Sequence, residues 1–142
     1  MGQYTFTFGS GTGNSQNIPK IIWSYWTGGQ PPDFVQHCYN NWKAYNPEFE
    51  IIQVNDNNLI SYLDDIPSNL QKNPPEKRAD WVRVALLEKF GGFWLDSSIL
   101  LSQSLDFILQ EQFASQAGFV GFYIEKFTIS PHQPVVENWF MA

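Results

Sequence analysis

The chain has 142 residues, enough for one core but not for two, since domains commonly hold about 100–150 residues. A formal charge of −6 with only 8 Lys and Arg excludes the usual nucleic-acid surface, which neutralises phosphates with cationic side chains. Cys38 is the single cysteine, which excludes a disulfide framework and a cysteine metal cluster.

No apolar run reaches the roughly 18 residues of a membrane-spanning helix, and the N-terminus has neither a basic segment nor an apolar leader core. A cytoplasmic protein without a transmembrane segment is therefore expected. Aromatics make up 17% of the chain, with six Trp. Aromatic faces suit nucleobases and sugar rings, although most such residues fill cores.

Residues 1–17 are polar and rich in Gly, Ser and Thr, apart from the alternation Tyr4, Phe6, Phe8. The alternation fits one strand, but GSGTG at 9–13 reads as a flexible linker, so 1–17 is set apart as a flexible appendage to a domain at 18–142. The Gly-x-Gly there is no phosphate loop, because no helix-forming segment follows and no Lys-Ser/Thr closes it.

Residues 20–25 read as a buried strand, followed by a Gly/Pro loop to 32. Asp33 is the expected cap of a helix ending near Tyr45, with Phe34, Cys38 and Trp42 on its inner face. A strand at 50–54, a turn at 55–58 and a short helix at 59–63 come next. Asn73 is then expected as N-cap, Pro74 as first helical residue and Glu76 as the capping-box partner, with Gly91 ending the helix. Ala79, Val82, Leu86 and Phe90 recur at core-facing spacing along it.

Phe93, Trp94 and Leu95 form a short apolar run after a diglycine, which reads as a buried strand ending in Asp96. Beyond it, a strand at 99–101, a helix at 105–110 and a strand at 119–123 are expected. A rigid loop (PHQP, 131–134) carries His132, to which no role is assigned. Alternating strands and helices predict an α/β fold, a mostly parallel sheet with helices on both faces.

Lys77, Asp80 and Arg83 fall at i, i+3 and i+6, on one side of a helix whose remaining surface is largely apolar. The simplest reading is an Asp80–Arg83 surface pair, worth ~0.2–0.5 kcal/mol. The following strand suggests more, because open α/β sheets bind ligands beyond the carboxyl ends of their strands. A helix, a diglycine turn and a strand in succession would bring Asp80, Arg83 and Asp96 towards one crevice.

Asp80-x-x-Arg83, an apolar helix end, Gly91-Gly92, an aromatic, Leu95 and Asp96 together resemble the capsular polysaccharide synthesis glycosyltransferases. They also resemble the related DXD-containing sugar transferases, which include yeast-type α-mannosyltransferases. IPKIIWSYWTGG at 18–29 looks like that family's first strand and nucleotide-binding turn. HCYNNW at 37–42, with Asn46 and Pro47, resembles its next helix and exit, and VENWFMA at 136–142 is similar to a later strand. Glu137 and Asn138 sit where that strand approaches the sugar. The resemblance covers 18–142.

It implies a nucleotide-diphospho-sugar transferase fold of the GT-A, Rossmann-like type. It also implies transfer from a UDP- or GDP-linked donor to a saccharide or lipid-linked acceptor in capsule or surface polysaccharide synthesis, with retention. A lipid-linked acceptor would place the protein at the inner membrane face. Because transferases of this fold are usually longer, with the acceptor site in their second half, the chain is expected to be the N-terminal part of such a domain.

By the same resemblance, Trp23, Tyr25, Trp26 and Thr27 would hold base and ribose, while Lys77, Asp80, Arg83 and Ser97 would contact the rest of the donor. Asp96 would be the catalytic carboxylate and, with Ser98, would hold Mn²⁺ or Mg²⁺. The family motif usually reads Asp-x-Asp, and here it reads Asp96-Ser97-Ser98. A serine hydroxyl is a weak neutral ligand where hard cations prefer carboxylate, phosphate and water oxygens. Capsule-type members resemble the Asp-Ser-Ser form, which is read as a variant site. No nucleophile or acceptor-side base can be chosen. The alternative is a non-catalytic carbohydrate-binding or structural fragment of the same fold; a hydrolase is disfavoured by the lack of a Gly-x-Ser-x-Gly elbow.

Overall fold

The computed structural model describes residues 2–6, 17–123 and 136–142; the 9–13 linker and the 131–134 loop with His132 lie outside the described residues. Its elements are β1 (Gly2–Phe6), β2 (Ile21–Trp26), α1 (Asp33–Tyr45), β3 (Glu50–Asn55), α2 (Pro75–Phe90), β4 (Phe93–Leu95), α3 (Asp106–Ser115), β5 (Phe119–Tyr123) and β6 (Val136–Met141). Single 3-10 turns occupy Leu59–Ser61 and Leu70–Lys72. The six strands form one sheet in the order β1-β5-β6-β4-β2-β3.

The α/β class holds, but the expectation of a mostly parallel sheet needs correction. β2 pairs in parallel with β3 and β4, whereas β6 is antiparallel to both β4 and β5, and β1 is antiparallel to β5. A parallel pair needs a crossover, and β2-α1-β3 supplies one. β6 instead enters in reverse between two strands that run in the same direction. The alternation at Tyr4 and Phe6 belongs to β1, which pairs along its whole length with β5.

Alternation along the strands sends successive side chains to opposite faces, and each face has its own core. Ile22, Phe93, Leu95, Val120 and Phe140 pack with Val35, Cys38, Tyr39 and Trp42 of α1 and Ile108 of α3. Trp23, Tyr25, Val54 and Trp94 pack with Val82 and Leu86 of α2. Helices therefore cover both faces. Trp23, Trp42 and Trp94 are among the largest fully buried side chains, each contributing at least the ~1.5–3 kcal/mol of a buried large apolar group.

Several local expectations are corrected by the backbone. α2 starts one residue later than expected, because Pro74 precedes Pro75 and is held extended (φ −56°, ψ 153°) as pre-proline residues are. Asn73 instead caps the preceding 3-10 turn, its Nδ2 donating to the carbonyls of Asn69 and Leu70 at 3.1 and 3.4 Å. In α1 the cap is Pro32, whose carbonyl accepts from Val35 and Gln36. Asp33 is the first helical residue, where its charge still favours the helix dipole. Phe34 points outward and is exposed, its place on the buried face taken by Val35 and Tyr39. Phe90 at the far end of α2 is also partly exposed.

Residues 99–101 form no strand. Their backbone is satisfied by α1 side chains: Trp42 Nε1 donates to the Ile99 carbonyl at 2.7 Å, and Asn41 both donates to and accepts from the Leu101 backbone at 3.0 and 2.7 Å. A side chain that fills both backbone bonds removes the need for a ladder partner.

The turn joining α2 to β4 requires glycine at Gly92. Its φ is +94°, and an added Cβ would lie 2.8 Å from the Ile21 carbonyl oxygen. Only a residue without a Cβ lets β4 come this close beside β2.

Candidate functional site

From β2 the chain crosses to β3 on one side and later to β4 on the other, so the strand order reverses beside β2. The reversal opens a crevice beyond the carboxyl ends of β2 and β4, the position where open α/β sheets bind ligands. A cleft of about 570 Å³ lies there. Its walls are Tyr25, Trp26 and Thr27 from β2 and its exit, and Glu76, Ala79, Asp80 and Arg83 from α2; Trp94, Asp96, Ser97, Ser98 and Asn138 complete it.

Arg83 organises one wall. Its side chain is 95% buried, and the guanidinium donates to Asp80 Oδ1 at 2.9 Å and to Asp96 Oδ1 at 3.3 Å, while lying 5.0 Å from the Trp94 ring centroid. Trp94 Nε1 also donates to Asp96 Oδ1, at 2.8 Å. β6 fixes the backbone of the same residue, since the Asp96 amide donates to the Trp139 carbonyl at 2.9 Å. Asn138 Nδ2 reaches Asp80 Oδ1 at 3.1 Å. Two carboxylates, one guanidinium and one carboxamide thus form a connected set along the cleft.

Eight of the sequence-derived residues line the cleft: Tyr25, Trp26, Thr27, Asp80, Arg83, Asp96, Ser97 and Ser98. Two do not. Trp23 lies in the core near the other end of β2, its Nε1 donating to the Gly91 carbonyl at 2.9 Å and its ring against Tyr62 and Phe90. Period-two alternation gives Trp23 the same face as Tyr25, but only the strand's carboxyl end reaches the opening. Lys77 is exposed on the rim, with Nζ 3.9 Å from Asp80 Oδ2. Glu137 does not line the cleft, whereas its neighbour Asn138 does.

Two residues absent from the sequence-derived set hold the β2 wall in place. Asp56, just beyond β3, accepts hydrogen bonds from the hydroxyls of Tyr25 and Thr27. Arg78, in the first turns of α2, donates to both oxygens of Asp56 at 3.3 and 3.2 Å and to Gln71 Oε1 at 3.0 Å. Burial raises the Tyr25 phenol most, and the Asp56 bond and charge add to it, taking it to about 12. For Asp56, burial opposes ionisation, but the hydroxyls of Thr27 and Tyr25, then Gln71 and Arg78, outweigh it and hold the carboxyl below its usual range. On the far side of Trp26 and Thr27, a second hollow of about 530 Å³ is bounded by Gly28, Gly29, Asn55 and Asp56.

Three buried donors at this site have no hydrogen-bond partner among the described residues, Trp26 Nε1, Arg78 Nε and Arg83 Nε. Buried polar groups are ordinarily satisfied, so such donors beside an open cleft are suited to a ligand or to water.

Among the described residues, no helix is long and apolar enough to cross a membrane. The chain matches the model of one protein family, described as capsular polysaccharide synthesis protein, over residues 3–142. No curated protein and no solved structure matches it.

Proposed function

The chain belongs to the capsular polysaccharide synthesis protein family, and from that premise we propose that it is a glycosyltransferase that takes a sugar from a UDP- or GDP-linked donor. The acceptor would be a saccharide or a lipid-linked glycan of the capsule, and the fold a GT-A, Rossmann-like one. The observation that carries this reading is the linkage of Asp80, Arg83 and Asp96 in a cleft beyond the carboxyl ends of β2 and β4. One cation between two carboxylates, facing open volume, suits a ligand that brings both hydroxyls and anionic oxygens.

In this reading the diphosphate lies towards the charge of Arg83 in the cleft wall. Asp80 accepts from a sugar or ribose hydroxyl with its Oδ2, since Oδ1 is engaged by Arg83 and Asn138. Trp26 lines both the cleft and the second hollow at the β2 exit, where its aromatic ring would meet base and ribose. Asp96, held by Arg83, Trp94 and the β6 backbone, keeps a carboxylate fixed beside the donor. Retention at the anomeric carbon comes with the family reading.

A divalent cation fits the residues in a reduced form. Both described side-chain hydrogen bonds of Asp96 fall on Oδ1, which leaves Oδ2 for a metal, and Ser98 adds a hydroxyl at the cleft. Among the described residues no cluster of three His, Cys, Asp or Glu builds a protein-only cage, and Mg²⁺ ordinarily binds through one or two carboxylates, water and substrate phosphates. When bound, Mg²⁺ or Mn²⁺ supplies charge neutralisation for the departing nucleoside diphosphate.

Calorimetric titration with UDP and GDP, each with Mn²⁺ and with chelator, tests the reading. Saturable, metal-dependent binding of one nucleotide is expected. Binding of free saccharides without nucleotide would replace it with a carbohydrate-binding module on the same fold.

A further inference from the structure

The β2 wall of the cleft has a fixed hydrogen-bond polarity. A hydroxyl has one proton to donate and lone pairs with which to accept. Tyr25 and Thr27 both direct that proton to Asp56. Asp56 is held ionised by these bonds and by Arg78, so it cannot return a proton to either hydroxyl. Towards anything in the cleft, the two hydroxyl oxygens can therefore only accept. The arrangement is well braced, because Arg78 and Gln71 tie Asp56 to the start of α2.

We infer that the Asp56–Arg78 pair is a positioning device that fixes Tyr25 and Thr27 as acceptors, so that this wall receives the hydroxyl-bearing part of a nucleotide sugar and excludes its diphosphate. The inference rests on the nucleotide-sugar reading above. A phosphate oxygen placed here would meet two acceptor oxygens backed by a carboxylate, a repulsive contact, whereas a ribose or sugar hydroxyl finds acceptors already oriented. The opposite wall differs in carrying a cation, the buried Arg83, set between the half-exposed carboxylates of Asp80 and Asp96. The β2 wall thus offers a phosphate no cation, whereas the opposite wall has Arg83 behind its carboxylates, a difference that orients a molecule with hydroxyls at one end and phosphates at another.

The test is calorimetry on the full 142-residue chain, with UDP, GDP and inorganic pyrophosphate as probes. Asp56→Asn, which can return a proton to one hydroxyl and leaves Arg78 uncompensated, is expected to weaken binding of the preferred nucleotide about tenfold, as loss of a charge-assisted hydrogen bond does. Its affinity for pyrophosphate should stay within about twofold of wild type, since no hydroxyl is involved. Thr27→Val removes one acceptor and its bond to Asp56 but keeps the Asp56–Arg78 ion pair, and should also weaken nucleotide binding selectively, while Thr27→Ser should restore it. That pair decides the matter if Asp56→Asn fails to fold or if pyrophosphate binds too weakly to measure. Equal loss of nucleotide and pyrophosphate, or a Thr27→Ser variant no better than Thr27→Val, would overturn the inference and leave the donor site standing. A wild-type chain that binds neither UDP nor GDP would overturn the nucleotide-sugar reading and the inference with it.

Discussion

Arg83 on α2 and Asp96 at the end of β4 meet at 3.3 Å, although the Gly91-Gly92 turn reverses the chain between them. The contact makes the helix and the strand end one unit. Arg83 is almost wholly buried while both of its carboxylate partners stay about 40% exposed, so the cation is fixed by the fold and the anions face the cleft.

Replacing Arg83 with Ala leaves Asp80 to Asn138 and Asp96 to Trp94. Removing one member of a buried ion pair costs about 3–5 kcal/mol, but here water reaches both carboxylates, and about 1–3 kcal/mol is expected. Thermal unfolding measures that part. In titrations, diphosphate-containing ligands should lose far more affinity than the nucleoside alone. An equal loss of both would remove the assigned role of Arg83.

Asp96→Ala should abolish metal-dependent nucleotide binding with only a modest loss of stability, roughly 1–3 kcal/mol for leaving Trp94 Nε1 and Arg83 short of an acceptor. Circular dichroism and a melting curve separate the two effects. A variant that no longer folds would identify Asp96 as a structural cap of β4.

The Asp80, Arg83 and Asp96 set was legible because helix, diglycine turn and strand are consecutive, so local periodicity alone juxtaposes them. Asp56 was not, since its partners lie 31 residues before it and 22 after, and only the parallel pairing of β2 with β3 brings them together. A usable signal was present all the same, because Asp56 follows β3 as Asp96 follows β4. Trp23 was misplaced for the opposite reason: reading 23–27 as a block ignores that a strand buries all but its carboxyl end. The antiparallel entry of β6 was illegible because a six-residue strand carries no mark of its direction.

Gly92→Ala tests the approach of β4 to β2 separately from the cleft. The new Cβ meets the Ile21 carbonyl at 2.8 Å with φ at +94°, and the strained backbone alone costs about 1–3 kcal/mol. The contact is with backbone and cannot be relieved by a side-chain rotation. Chemical denaturation should show a clear loss of stability. If the variant still folds, the ratio of nucleotide to pyrophosphate affinity should be unchanged, because Gly92 lies at the far end of β4 from Asp96.

Tyr25 gives the alkaline limb of stability a specific cause. Its phenol is raised to about 12 in the folded chain, against about 10 when unfolded. The folded state therefore holds this proton more tightly, and the stabilisation is complete below pH 10. As pH rises from about 10 the unfolded chain begins to ionise first, and the contribution falls until the folded phenol also ionises near 12. Two units correspond to roughly 2–3 kcal/mol. Asp56 acts at the other end of the scale: its carboxyl is depressed in the fold, so its contribution is present above the unfolded carboxyl range and is lost as pH falls through the folded value. Urea denaturation from pH 9 to 12 should show a decline that Tyr25→Phe reduces. An identical pH dependence in the two proteins would show that Tyr25 does not govern the alkaline limb.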